Sequence, residues 1–147
     1  MSATLRLARH DDEPRVAALL TASSLPLDGV HDALPCFVIA EDEGQLVGVA
    51  GIEACGVTGE HALLRSVAVI PEWRSRGLGR ELVTRVIAEA EARGVKALYL
   101  LTTTAERYFP SFGFAQTTRD AVPDDVRATA EFQGACPASA VVMTLAL

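Results

Sequence analysis

The residues Arg74-Ser75-Arg76-Gly77-Leu78-Gly79-Arg80 have the types and spacing to hold an anion. They follow the apolar run Leu63 to Ile70 and open an amphipathic run, Leu78 to Arg93. Gly77 and Gly79 carry no Cβ, so backbone can close on a ligand there. The first amides of a helix lack intrahelical partners, and with the helix dipole they favour phosphate. Arg74, Arg76 and Arg80 add positive charge, although arginines on a surface turn are often only solvated. The loop is neither a Walker loop, which ends Gly-Lys-Ser/Thr, nor the G-x-G-x-x-G dinucleotide fingerprint. Two other charges stand out. Glu53 ends the apolar stretch Leu46 to Ile52, and Arg65 lies inside Leu63 to Ile70. A carboxylate at a cleft edge can take a proton, directly or through one water. At a solvated strand end it has no such task. An inward arginine can grip a carboxylate with two parallel hydrogen bonds.

These groups need a scaffold, and the apolar pattern supplies one. Thr4 to Ala8 reads as a short strand. Asp11 or Asp12 can cap a helix that has Glu13-Pro14 in its first turn and Val16, Leu19 and Leu20 on its apolar side. Ser23 to Pro35 reads as loop with one helical turn. Phe37 to Ala40 and Leu46 to Ala54 form a hairpin across Glu41-Asp42-Glu43-Gly44-Gln45. Gly48 and Gly51 weaken the return strand but permit close packing or a bend. A turn over Val57 to Glu60 leads to the strand Leu63 to Ile70, which Pro71 ends.

Leu78, Leu82, Val86 and Ala90, with Val83 and Ile87, have helical spacing, and Gly94 stops that helix. Val95 to Leu101 is nearly continuous in apolar character, as buried strands are. Ala105 to Phe112 reads as a short helix, with Pro110 against its last turn. Phe114 to Thr117 starts a further strand. Pro123-Asp124-Asp125 opens a helix that continues to Phe132, and Ala140 to Leu147 is a final strand. Strands alternating with helices, with hairpins at both ends, give a mixed α/β sheet in one domain over residues 1–147.

Composition narrows the function. The chain has 147 residues, half of them apolar, and a net charge of −6. A general nucleic-acid binder relies on neutralising phosphates, so this charge argues against one. A local basic loop can still hold one small anion on an acidic protein. The N-terminal Met-Ser-Ala-Thr-Leu-Arg has no hydrophobic signal core, and no apolar run nears the ~20 residues that span a bilayer. The reading is a cytoplasmic protein without membrane contact. Cys36, Cys55 and Cys136 show neither metal spacing nor a disulfide framework, so no metal is expected.

The pattern Arg-x-x-Gly-x-Gly between strand and helix resembles the acyl-CoA pyrophosphate loop of the GNAT N-acetyltransferases. Leu64-Arg65-Ser66-Val67-Ala68-Val69-Ile70-Pro71 resembles that family's fourth strand, and Phe112-Gly113-Phe114 a later block in the same order. The resemblance covers Leu5 to about Thr117. It implies an α/β acyl-CoA N-acyltransferase fold, a mixed sheet whose central parallel strands splay apart, flanked by helices. It implies acetyl-CoA as co-substrate, bound by the loop from Arg74 to Arg80. Backbone groups of Val67 and Val69 then pair with the pantetheine arm like an added strand. Ordinary core packing of those two valines is compatible with this.

The same resemblance implies transfer of acetyl to an amine in a ternary complex. Glu53 is the candidate base. Tyr108 is the candidate acid, one position before Phe109, which stands where the family commonly has tyrosine. One step on a helix turns a side chain by ~100°, so Tyr108 could equally be packing. Arg65 is the candidate for an acceptor carboxylate; strict alternation sets it on the side of Val67 and Val69, and a bulge would alter that. Arg119 is a weaker second candidate. A non-catalytic acyl-CoA-binding regulatory module is the alternative, kept open by Phe109.

Leu63-Leu64-Arg65-Ser66, Leu100 to Ala105 and the tail from Thr129-Ala130-Glu131-Phe132 through Cys136-Pro137-Ala138-Ser139-Ala140 resemble the branch associated with bacterial arsenic resistance. Thr103-Thr104-Ala105 with Tyr108-Phe109 is also similar to glutamate-type amino-acid N-acetyltransferases. Both imply a small acceptor with an amine and a carboxylate. A homodimer is left open, as many GNAT proteins pair.

Overall fold

The computed structural model describes residues 3–55 and 58–147. Along them run β1 (Thr4–Leu7), α1 (Glu13–Ala22), α2 (Val30–Ala33), β2 (Phe37–Asp42), β3 (Gln45–Cys55), β4 (His61–Val69), α3 (Leu78–Ala92), β5 (Ala97–Thr102), β6 (Ala115–Thr117), α4 (Asp124–Arg127) and β7 (Val141–Ala146). The strands form one sheet in the order β1-β2-β3-β4-β5-β7-β6. Only the β4–β5 pair is parallel.

The β2–β3 connection is two residues long. Glu43 and Gly44 both have positive φ, 51° and 79°, the turn whose twist matches the flanking strands. One face of the sheet is covered by α3. Its stripe Leu78, Leu82, Val83, Val86 and Ala90 packs on Val38, Val47, Ile52, Leu64 and Leu98. The other face is covered first by α1, through Val16, Leu19 and Leu20 against Phe37, Ile39 and Val49. Further along it is covered by Val122 and Val126 against Leu63 and Val142. Each fully buried Leu or Val contributes about 1.5–3 kcal/mol, so the two faces together fix which side of every strand is which.

Two irregularities shape the middle of the sheet. The parallel ladder joins only His61–Leu63 to Ala97–Tyr99. Beyond it β5 stays with β7 along its whole length while β4 stays with β3, so the two strands part. The second is a bulge. Val49 faces Ala68 but Gly51 faces Arg65, so Ser66 and Val67 stand opposite the single residue Ala50. Ser66 has φ 60°. A bulge puts the following residues on the opposite face. Val67 and Val69 therefore join the α3 side, whereas Arg65 shares the side of Leu63 and Phe37. Strict alternation had set Arg65 with the two valines; the extra residue reverses that.

Several local expectations change. The loop before β2 holds two short helical turns, α2 and Leu34–Cys36. Ala105 to Phe112 is not a helix. Thr102 Oγ1 accepts from the Ala105 amide at 3.0 Å, and only Phe109–Phe112 coils, with Pro110 in its first turn where a missing N–H does no harm. The tail helix to Phe132 breaks after Arg127. Thr129 Oγ1 donates to the Val126 carbonyl at 2.8 Å, and Glu131–Ala135 forms a separate turn kinked at Gly134. A helix this short draws its stability from packing rather than propensity, so tertiary contacts decide its length. The turn expected over Val57 to Glu60 begins outside the described residues, as does the Cys55 side chain.

Candidate active site

The arginine-glycine loop lies between the end of β4 and α3. A turn at Pro71–Trp73 leads into it, and buried Trp73 and Leu78 anchor its two ends. Ser75 and Gly77 have φ 63° and 83°, and Gly77 stands directly before the first residue of α3. A Cβ on Gly77 would meet nothing within 4 Å, so the space over the helix start is open. The unpaired amides of the first turn face that space.

Arg74 Nε donates to the Val69 carbonyl at 3.1 Å, tying the loop to β4. That carbonyl belongs to the backbone expected to pair with pantetheine. Arg76 lies 5.4 Å over the Trp73 ring. Arg80 stacks 4.7 Å over Phe112, and its Nη2 donates to Ser111 Oγ at 2.9 Å. The loop thus presents three guanidinium groups at a helix N-terminus, each with its stem or plane already positioned.

Tyr108 belongs to this end of the cleft. Its hydroxyl lies 3.5 Å from where a Cβ on Gly79 would be, and its ring meets Phe109 and Phe112 edge-on. Burial raises its pKa, and Arg80 opposes that. Phe109, buried, reaches the space between β4 and β5 instead.

That space is a cavity of about 150 Å³ where the two strands part. Its walls include Arg65, Ser66 and Val67 from β4 and Leu100 to Thr102 from β5. Leu25 and Pro26 from the loop before α2, and Glu131 and Cys136 from the tail, complete them. A second hollow of similar size continues it between Ser24 to Pro26, Thr102 to Thr104 and Ala135 to Pro137.

Arg65 organises the cavity. Its side chain has no exposed surface. Nη1 donates to Glu53 Oε1 at 2.7 Å, Nη2 to the Pro26 carbonyl at 3.2 Å and Nε to Ser66 Oγ at 3.1 Å. Nε also lies 3.1 Å from Glu131 Oε2. The guanidinium is therefore already shared by two carboxylates of its own chain, rather than waiting free. Gly29 makes room for this, since a Cβ there would come within 3.2 Å of both Arg65 Nη1 and Glu53 Oε1.

Glu53 is half-buried and turns toward a shallower hollow with Gly29, Asp32, Ala33 and Cys36. Its bond to Arg65 links it to the main cavity. Arg119 contacts the carbonyls of Pro137 and Ala138 at 3.4 Å and lies over Phe132. It fastens the tail through these two carbonyls and the ring.

Glu131 and Cys136 are the residues that sequence reading missed. Glu131 lies in a stretch read as helix and quoted only for its resemblance, with no role given to the glutamate. It is 5% exposed. Burial raises its pKa, while Arg65 and the Cys136 thiol pull it down and Glu53 and Asp28 push it up. Cys136 Sγ donates to Glu131 Oε1 at 3.4 Å, and burial with that neighbour pushes the thiol up to about 12. At neutral pH it is a thiol, not a nucleophilic thiolate. Among the described residues, no three His, Cys, Asp or Glu side chains gather as a metal site, and no helix is long and apolar enough to cross a membrane.

Against known proteins, residues 5–116 match the model of the acetyltransferase (GNAT) family. An amino-acid acetyltransferase of Pseudomonas syringae pv. tomato is 33% identical over 97 residues, which is 66% of this chain. The chain spans only 22% of that relative's length. N-acetylglutamate synthase from Neisseria gonorrhoeae, solved with coenzyme A and N-acetyl-glutamate, superposes with a TM-score of 0.84 at 23% identity. The superposition covers 100% of this chain and 35% of the synthase. Rv2747 from Mycobacterium tuberculosis, solved with CoA, superposes with a TM-score of 0.82 at 22% identity, over 98% of this chain and 99% of that one. At such identities the two structures establish the fold.

Proposed function

The chain belongs to the GNAT family of acetyltransferases, and from that premise we propose that it transfers acetyl from acetyl-CoA to the amine of a small amino-acid-like acceptor. The observation that carries this reading is the junction of two features. The open arginine-glycine loop at the start of α3 adjoins the place where β4 and β5 part around a small, mainly apolar cavity that carries Arg65, Ser66 and Glu131. The loop holds the pyrophosphate, and the parted strand edge of Val67 and Val69 takes the pantetheine arm. The thioester then arrives beside Ser66, Phe109 and the Arg65 cluster. The names of the relatives support an amino acid as acceptor.

Attack requires a neutral amine, so a nearby carboxylate must take its proton. The cluster held by Arg65 offers Glu53 and Glu131. Transfer is direct, in a ternary complex. Cys136, the thiol on the cavity wall, is protonated and hydrogen-bonded and so is a poor acyl carrier. A CoA thiolate is a fairly good leaving group, so Phe109 in place of a phenol is tolerable, and Tyr108 acts from the cofactor side. A cytoplasmic setting and a homodimer belong to the same proposal. A part in arsenic resistance is tested by growth on arsenite with and without the gene.

Phe109 also favours a second reading, an acyl-CoA-binding regulatory module without turnover. Calorimetric titration with acetyl-CoA, on wild type and on Gly77→Glu, tests the shared premise. The expected result is binding in the wild type and loss in the variant, with the melting temperature of both recorded. Thiol release with a panel of amino acids, glutamate first, then separates the readings. Turnover supports the transferase; tight binding without turnover supports the module. No binding by wild type overturns both.

A further inference from the structure

Resting on the transferase reading, we infer that Glu131, supplied by the tail between β6 and β7, is the group that takes the proton from the acceptor's ammonium. Three observations meet at this side chain. It is almost wholly buried, yet it lines the cavity where β4 and β5 part. It stands 3.1 Å from Arg65 Nε without being locked into a two-pronged pair, because Nη1 serves Glu53 and Nη2 the Pro26 carbonyl. Its other oxygen accepts from the Cys136 thiol, a weak donor that leaves it basic. Glu53 has the better bond to Arg65 and opens on a different hollow.

The charges also suit the step. Arg65 faces Glu53 and Glu131, with Cys136 neutral and Asp28 acting from farther off. An amino-acid zwitterion brings one ammonium and one carboxylate. Moving a proton from the ammonium to Glu131 breaks an N–H bond and forms an O–H bond. Glu131 is then neutral, and Arg65 can turn part of its charge to the acceptor's carboxylate. The total charge of the cavity is unchanged, so no buried charge is created or stranded. The free amine's lone pair forms the C–N bond at the thioester carbonyl. The C–S bond breaks and its electron pair leaves with CoA. The second proton on nitrogen passes to that thiolate, and Glu131 returns its own to water after product leaves. The sum is ammonium plus acetyl-CoA giving amide, CoA thiol and one proton. Burial keeps the Glu131 carboxyl titrating above the ordinary glutamate range, nearer the pH at which a base is useful.

The test is kcat/KM against pH for wild type, Glu131→Gln, Glu131→Asp and Glu53→Gln, with the acceptor found in the thiol-release panel. Acetyl-CoA affinity and melting temperature are measured alongside. Loss of a general base costs ~10²–10⁴-fold. The expected Glu131→Gln enzyme binds acetyl-CoA as wild type does. Its turnover falls by ~100-fold or more, and it lacks the acid limb of the profile. Glu131→Asp recovers part of the rate and keeps the limb. Glu131→Gln with the wild-type rate and limb would overturn the inference, as would a limb lost in Glu53→Gln alone. If both Glu131 variants lose acetyl-CoA binding and melt early, Glu131 is structural and the inference falls. Failure of wild type to turn over sinks the transferase reading itself, which is a different result.

Discussion

Arg65 is a cation with no exposed surface, set among Glu53, Glu131, Ser66 and the Pro26 carbonyl. A charge in that position is tolerable only while its partners remain, because removing one strands the others. Arg65→Met should therefore cost about 3–5 kcal/mol of unfolding free energy in a denaturant titration. Adding Glu131→Gln to it should return part of that loss, with a coupling of ~1–3 kcal/mol, since the two side chains share one network. Additive losses would mean that the pair contributes little. From sequence, Arg65 was legible as an unusual charge in an apolar strand, but its partners were not. They come from positions 12 residues before it and 66 after it, Glu53 and Glu131.

At the scale of elements, β3 shows why glycine is needed in one place and merely convenient in another. A Cβ on Gly51 would lie 2.1 Å from Cδ1 of the fully buried Phe37 ring. A Cβ on Gly48 would lie 2.8 Å from Leu82 Cδ1, the methyl end of an aliphatic side chain rather than a rigid ring. Gly51→Ala should thus lose ~1–3 kcal/mol or more by overpacking, and Gly48→Ala clearly less. Equal melting temperatures for the two variants would contradict this. The pattern of strands and of α3 was legible because their apolar periods are long. The short pieces were not. Phe109–Phe112, α4 and Glu131–Ala135 are held by Thr102, Thr129 and the packing of Val126 rather than by their own propensity.

At the scale of the molecule, polar and ionic side-chain contacts tie distant segments together. Asp12, 2% exposed, binds Arg6 at 2.9 Å and Arg15 at 2.6 Å, and both arginines reach Glu41 at 2.9 Å. This joins β1, α1 and β2. The arginines hold the Asp12 and Glu41 carboxyls below their ordinary range. The folded state therefore binds fewer protons than the unfolded chain, and stability rises with pH across that window. The contribution is full above about pH 5 and fades as pH falls toward the depressed values. Asp12→Asn should lose ~2–3 kcal/mol at pH 7, less than a fully buried pair because both arginines are partly in water. The loss should shrink in acid, and an equal loss at pH 7 and pH 3 would refute the account. Another tie is His61 Nδ1 to Asp125 Oδ2 at 3.0 Å, which holds α4 to the start of β4.

The sequence by itself determined the order of the strands and of the two long helices α1 and α3, the place of the arginine-glycine loop and the family. Each of these depends on residues near one another in the chain: an apolar period, a Gly-x-Gly before a helix, a proline after a strand. Only the tertiary structure decided which side chains meet in the cavity. The bulge at Ser66 turns Arg65 to the opposite face from Val67, and nothing local to Ser66 announces that extra residue. The tail then brings Glu131 and Cys136 to Arg65 because a buried guanidinium requires counter-charge wherever the fold can supply it.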